Sequence, residues 1–149
     1  MWNELNRYRQ LPGSRRLLLL EALIAMALAR FGLAFLPFRR IALWLGIPGT
    51  ESPVNAAAEQ VEVATEIGWA VGCLARRVPW DSRCLAQALA AAWMLRRRGL
   101  EPTLSFGVDL EKQREFVAHA WLRFGSCFVT GGVSHERFKT LASFTRKRS

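Results

Sequence analysis

The chain has few of the residues that build disulfide frameworks and metal clusters, because its 149 residues include three cysteines and two histidines. An odd number of cysteines, Cys73, Cys84 and Cys127, in a chain too long to need covalent stapling predicts free thiols in a reducing compartment. A zinc site from Cys84, Cys127, His119 and His135 is disfavoured, since no two of them have the close spacing of structural zinc ligands. A disulfide scaffold is excluded.

Acidic residues are also scarce, with 12 Asp and Glu against 21 Lys and Arg, so the net charge is +9. A basic surface favours acidic partners such as nucleic acid, anionic lipid or an acidic peptide. Nucleic acid is the least favoured of these, because the arginines cluster at helix ends and no strand motif combines aromatic with basic residues. The composition, 51% apolar and 22% charged, excludes disordered and fibrous proteins.

A run of twenty residues, from Leu17 to Leu36, contains only two charged side chains, Glu21 and Arg30. Its length permits a membrane span, but a charge near the middle of a span costs about 2.5 to 3.5 kcal/mol on insertion scales. The run requires cover on several sides, from the protein's own core, a partner or lipid. Ser14–Leu17 mimics a twin-arginine secretion signal, an interpretation that Glu21 and the free thiols oppose.

Hydrophobic periodicity predicts four helices followed by three strands. The helices are Leu17–Leu36, Ile41–Ile47, Val54–Arg77 and one that Asp81 or Ser82 caps and Gly99 ends. The strands are Thr103–Val108, Arg114–Phe124 and Cys127–Thr130, the last two joined in a hairpin by Gly125 and Ser126. We therefore predict an α+β fold with a helical N-terminal half packed on a small antiparallel sheet. Residues 1–149 form one domain, with an apolar helical subdomain at 1–50 and the core at 51–149.

Two residues suggest chemistry: Cys84 in the first turn of the fourth predicted helix and His119 in the second predicted strand. Free backbone N–H groups at a helix start stabilise a thiolate and bind the oxyanion of an acyl-transfer intermediate. An imidazole that takes the thiol proton lets the sulfur attack a carbonyl carbon. The hairpin brings Thr130–Gly132 opposite His119, so we expect the partner of the ring there. Purely structural roles for both residues are the alternative.

Four segments resemble the lasso peptide biosynthesis B2 proteins, which are transglutaminase-like cysteine peptidases. They are Leu36–Arg40 after the apolar helix, Pro79–Leu85, Arg96–Leu100 and Ala118–Leu122. The resemblance spans nearly the whole chain and implies a papain/transglutaminase-like fold without a metal or organic cofactor. It also implies that Cys84 is the nucleophile and His119 the base.

The third catalytic group departs from the family pattern, in which a carboxylate or amide often lies on the strand after the histidine. This chain has Thr130, Gly131 and Gly132 at that place. We expect Thr130 to orient the ring of His119; the alternatives are Asp109 on the preceding strand or a dyad without a third group.

The resemblance implies that the protein removes the leader from a ribosomally synthesised lasso precursor peptide, which an amidotransferase-like cyclase then closes. Residues 1–78 read as helices with no strand-rich module, so a separate leader-recognition protein is expected to bind the leader. We expect a cytoplasmic protein, with membrane contact through the N-terminal helix as an alternative. Transamidation is a close chemical variant. The alternative function is a basic, membrane-peripheral or peptide-binding accessory protein without catalysis.

Overall fold

The computed structural model of the chain describes residues 6–7, 9–78, 83–109, 118–132 and 135–146. After helical residues 6–7 and 9–10 come four α-helices: Gly13–Phe35 (α1), Phe38–Leu45 (α2), Ala58–Ala75 (α3) and Cys84–Arg97 (α4). The strands are Ile47–Pro48 (β1), Thr103–Asp109 (β2), Ala118–Phe124 (β3), Cys127–Thr130 (β4) and Phe138–Thr145 (β5), with a 3-10 turn at His135–Arg137. The predicted α+β class is confirmed.

Proline and glycine set the limits of the first two helices. Pro37 takes the N-cap position of α2, so this helix begins at Phe38 and not at the predicted Ile41. A proline is tolerated there because a helix start does not need its missing N–H donor. Gly46 ends α2 with a φ of 123°, and a Cβ at this residue would lie 2.5 Å from the carbonyl oxygen of Thr145. Gly46 therefore fits both the turn and the close approach of β5.

The start of the fourth helix differs from the prediction. Asp81 and Ser82, the predicted caps, lie outside the described residues. The N-cap residue of α4 is Arg83, and its side chain makes no capping hydrogen bond. At the other end, Gly99 has a φ of 73° directly after the last turn, as predicted for a C-terminal stop.

The five strands form one antiparallel sheet in the order β1-β5-β2-β3-β4. The hairpin of β3 and β4 turns at Gly125, which has a φ of 57°, and confirms the predicted connection. The sequence prediction missed β1 and β5. In the first half of β5, the three consecutive residues Lys139, Thr140 and Leu141 are exposed, so the sequence does not alternate cleanly between polar and apolar residues.

The two faces of the sheet differ in chemistry. Leu104, Leu122 and Phe144 belong to the hydrophobic core that the helices build with them. The opposite face of the central strands carries hydroxyl pairs, such as Ser105 with Ser143 at 2.9 Å between their oxygens. Alternation of side chains along each strand explains this separation. The helices therefore cover one face of the sheet.

Helix α1 packs its inner face against α3 and α4 and is fixed by an ion pair. Arg98 donates to Glu21 at 2.7 Å, and Arg97 donates to the same carboxylate at 3.2 Å. The hydrogen bond from Arg98 lowers the pKa of Glu21, while burial opposes this shift. Among the described residues, α1 is also the one helix long and apolar enough to cross a membrane, a test that core helices pass as well.

Candidate functional site

Cys84 is the first residue of α4, and its thiol is free and partly exposed. The first N–H groups of a helix have no intrahelical acceptor, and the Arg83 side chain at the N-cap cannot accept a hydrogen bond. The helix dipole adds partial positive charge at the same place. Cys84 is therefore at a helix start, as the sequence predicted, where backbone N–H groups are suited to a thiolate or an oxyanion.

The contacts at the end of α4 indicate how this helix runs along the sheet. Arg96 near the end of α4 donates to Glu101 at 2.7 Å, and the backbone N–H of Arg146 after β5 donates to the same carboxylate at 2.9 Å. The end of α4 therefore lies where β2 begins and β5 ends. Since α4 packs against β3 and spans about 21 Å, we infer that it runs back along the sheet. Its first residue then shares an end of the sheet with His119.

The ring of His119 is held by a backbone carbonyl. Its Nε2 lies 2.8 Å from the carbonyl oxygen of Gly131. A carbonyl only accepts, so Nε2 carries a proton and donates, and in the neutral form of the ring the lone pair lies on Nδ1. The ring also lies 4.8 Å from the ring of Phe138 and 6.0 Å from that of Trp121, measured between centroids. These contacts fix the orientation of the imidazole and leave Nδ1 as the atom that can take a proton.

Two glycines make room for this arrangement. Gly131 has a φ of 68°, and a Cβ there would lie 2.5 Å from the carbonyl oxygen of Ala120. Gly107 pairs with His119 across β2 and β3, and a Cβ at this residue would lie within 3.0 Å of both Trp121 and Phe138. The aromatic rings around His119 can therefore close over Gly107 only because it has no side chain.

Cys84 and His119 are not joined by a hydrogen bond in the part of the chain that the structure describes. His119 and Trp121 lie on the face of β3 opposite to the core residue Leu122, whereas Cys84 belongs to the helical layer. His119 is the second residue of β3, so its ring lies close to the end of the sheet. Catalytic hydrogen bonds are often long before substrate binds, and the direct pairing of the two residues stays a prediction.

The predicted orienting residue, Thr130, is the last residue of β4 and is buried, but its hydroxyl has no hydrogen-bond partner among the described residues. The acceptor that the ring uses belongs to the next residue, Gly131. The partner of the His119 ring therefore lies within Thr130–Gly132, as expected, but it is a main-chain oxygen and not a side chain. The other candidate, Asp109, is buried and accepts from Arg137 at 2.9 Å. An orienting role for the Thr130 side chain stays a prediction.

Cys127 has another partner, whereas His135 reaches the edge of this arrangement with its ring 6.1 Å from that of Trp121. Cys127 lies 3.7 Å from the hydroxyl of Thr65 on α3. His135 places its Nδ1 2.8 Å from the carbonyl oxygen of Gly132 and packs on Phe128. Within the described ranges, no group of three or more His, Cys, Asp or Glu side chains could hold a metal ion. All three thiols are free, as the odd cysteine count predicted.

Sequence reasoning placed Gly131 in the segment opposite His119 but did not identify its carbonyl as the acceptor, and it did not find Phe138 or Gly107 as neighbours of the ring. A backbone carbonyl has no residue type of its own, so only the glycine pair at 131 and 132 could have signalled an unusual turn. Phe138 reaches the ring through β5, a strand that was not predicted. Only the pairing of strands reveals both contacts.

Comparisons with curated proteins and with solved structures gave no significant match. A family model described as the transglutaminase-like superfamily matches residues 25–143. The match begins inside α1 and ends inside β5, so it includes both Cys84 and His119 and crosses the boundary predicted near residue 50. By this match the chain belongs to the transglutaminase-like superfamily.

Proposed function

We propose that this protein is a cysteine peptidase that removes the leader from a ribosomally synthesised lasso precursor peptide. The observation that carries the proposal is the ring of His119, which holds its Nε2 proton on Gly131 and keeps Nδ1 as a base. Thiol-dependent peptide cleavage requires a thiol and a histidine, and Cys84 at the start of α4 with His119 on β3 supports this proposal. The superfamily is one in which such chemistry is common.

The reaction proceeds in two stages. Nδ1 of His119 accepts the proton of the Cys84 thiol, and the thiolate attacks the carbonyl carbon of the scissile bond. Backbone N–H groups in the first turn of α4 stabilise the oxyanion. The imidazolium then gives its proton to the leaving amine, and an acyl-thioester remains on the sulfur. In the second stage Nδ1 takes a proton from water, hydroxide attacks the thioester, and the thiol leaves with the proton.

The substrate assignment rests on the resemblance of four segments to the lasso B2 proteins, among them Pro79–Leu85 and Ala118–Leu122. In the proposed pathway a separate leader-recognition protein presents the precursor, and an amidotransferase-like cyclase closes the released core. The described residues before α4 support a separate recognition protein, because the one strand among them is the two-residue β1. Cleavage is expected to need no metal or organic cofactor.

The experiment incubates the wild type, Cys84→Ala and Cys127→Ala with a candidate precursor and its leader-recognition protein, and follows product masses. Cleavage by the wild type and by Cys127→Ala, with loss in Cys84→Ala, supports the proposal. Cys127 is the matched control because it is also a free, partly exposed thiol. An added primary amine reports transamidation as a mass increase on the product. No cleavage in any version, with the precursor still bound, favours a non-catalytic accessory protein.

A further inference from the structure

The outer side of α1 carries an apolar stripe that nothing in the described structure covers. Six large side chains are between 49% and 71% exposed: Leu17, Leu20, Ile24, Leu28, Phe31 and Phe35. They follow one another at intervals of three or four residues, so they line a single face of the helix. We call these six residues the outer stripe. It runs along most of a helix that is about 35 Å long.

The inner side of the same helix is firmly attached to the domain. Ala22, Ala25 and Met26 are at most 2% exposed. Glu21 is bound to Arg98, and Arg15 donates to Glu66 on α3 at 2.9 Å. If α1 crossed a bilayer, these contacts would have to break and the charges would enter hydrocarbon. A surface that covers the outer stripe must therefore lie alongside the helix.

The charges at the phenylalanine end of the stripe are positive, whereas Glu59 and Glu62 of α3 lie near Leu17 at its other end. Residues 5–50 contain seven arginines and a single acid, Glu21, which is already paired. Arg30, Arg39 and Arg40 are exposed, and the last two flank α1 at the phenylalanine end of the stripe. On α2, which follows, Leu43 is 74% exposed. Apolar side chains bordered by arginines form the pattern of helices that lie in a membrane interface.

We propose that α1 and α2 dock the protein on an anionic phospholipid bilayer, with the outer stripe in the interface and Arg39 and Arg40 at the headgroup phosphates. This goes beyond the proposed peptidase function and does not depend on it. A second copy of the chain is the other occupant to be tested, and the experiment below distinguishes it from a bilayer.

The test is flotation of the full chain with vesicles of phosphatidylcholine alone or of equal parts phosphatidylcholine and phosphatidylglycerol. The wild type is expected to float with the anionic vesicles, and less at high salt. Replacing Phe31→Ser and Phe35→Ser together is expected to weaken binding by at least about 100-fold. Replacing Arg39→Gln and Arg40→Gln together is expected to weaken it by about 30-fold.

Matched controls come from other exposed positions. Val54→Ser with Leu141→Ser removes two side chains that are 60% and 61% exposed but lie outside α1 and α2. Arg76→Gln with Lys139→Gln removes two exposed cations elsewhere. The affinity of both control variants for the anionic vesicles is expected to lie within a factor of about three of the wild-type affinity. The second control also lowers the net positive charge of the protein, which is expected to weaken binding slightly. All variants are first checked for an unchanged unfolding midpoint.

Three results would overturn the proposal. The first is a wild type that stays with neither kind of vesicle. The second is binding that falls as much in the control pairs as in the stripe and arginine pairs. The third is a dimer, detected by light scattering, that the Phe31→Ser and Phe35→Ser replacements convert to monomer while vesicle binding is absent. The last result would assign the face to a second copy. Leader cleavage is measured separately, so failure here leaves the peptidase proposal standing.

Discussion

Replacing Gly131 with alanine should disturb the histidine through the backbone. The residue has a φ of 68°, and its added Cβ would lie 2.5 Å from the carbonyl oxygen of Ala120 and 3.1 Å from Trp121 Cα. Real Cβ atoms essentially never come closer than 3.0 Å to such atoms, so the segment must shift by half an ångström or more. Ala120 is paired with Phe106 in the sheet and cannot easily yield. The Gly131 carbonyl should therefore move away from Nε2 of His119.

The expected cost has three parts. A left-handed backbone costs alanine about 1 to 2 kcal/mol more than glycine. A lost hydrogen bond adds about 1 kcal/mol, and the clash brings the total to about 2 to 4 kcal/mol of unfolding free energy. A displacement of this size at a catalytic base costs on the order of 100-fold in rate. Urea unfolding measures the first quantity, and cleavage of the precursor measures the second. Nitrogen NMR of labelled histidine should show that the Nε2–H form no longer dominates.

Gly99 provides the matched control. Its φ is 73°, close to that of Gly131, but a Cβ there would meet nothing within 4 Å. Gly99→Ala should therefore cost only the left-handed strain, about 1 to 2 kcal/mol, and leave the cleavage rate unchanged. The reasoning is refuted if the two variants lose the same stability and rate, or if the histidine of Gly131→Ala keeps its Nε2 proton and full activity.

Four further substitutions test an ion pair, a buried hydroxyl and the packing of a helix. Glu21→Gln should lower the free energy of unfolding by about 1 to 3 kcal/mol at neutral pH, measured by urea unfolding. The pKa of Glu21 is lower in the folded state than in the unfolded state. Its pair with Arg98 therefore stabilises the fold fully at pH values above the unfolded-state pKa, and this stabilisation is lost as the pH falls through the folded-state pKa. The stability difference between the wild type and Glu21→Gln should vanish in acid. Thr130→Val should leave the free energy of unfolding unchanged or raise it by about 1 kcal/mol, since it removes a buried hydroxyl without a partner among the described residues. A clear loss of stability would contradict this expectation. A loss of cleavage without a loss of stability would support the orienting role of Thr130. Gly68→Ala should lower the free energy of unfolding by about 2 to 4 kcal/mol, because its Cβ would lie 2.5 Å from the carbonyl oxygen of Val129 on β4. Gly72 lies on the same helix, and a Cβ there meets nothing within 4 Å, so Gly72→Ala should raise the free energy of unfolding by about 0.5 to 1 kcal/mol. Similar thermal midpoints for the two glycine variants would contradict the packing of α3 on β4.

The sequence predicted the elements that follow strong local rules. The fourth helix ends at Arg97, just before the predicted stop at Gly99, and the strand Cys127–Thr130 has the predicted limits. Cys84 at a helix start and His119 on a strand were both anticipated from periodicity and caps. The reason is that glycine stops, tight turns and alternating side chains act within a few residues of chain.

The features that escaped prediction depend on contacts between distant segments. β5 pairs with β2 across the molecule, and Phe138 reaches His119 only through that pairing. The acceptor for the ring is a carbonyl of Gly131, which no side-chain pattern encodes. The run from Leu17 to Leu36 was apolar on nearly every side, so its sequence alone did not tell which face α3 and α4 would cover.

The account depends most on Cys84 acting as a thiol whose reactivity His119 controls. Peptide mapping by mass after brief alkylation with iodoacetamide measures this without any knowledge of the substrate, and Cys73 and Cys127 serve as internal references. The account predicts that Cys84 is alkylated fastest of the three, and that His119→Ala slows Cys84 alone, by about tenfold or more. Equal rates at all three thiols, or a Cys84 rate that His119→Ala leaves unchanged, would contradict it.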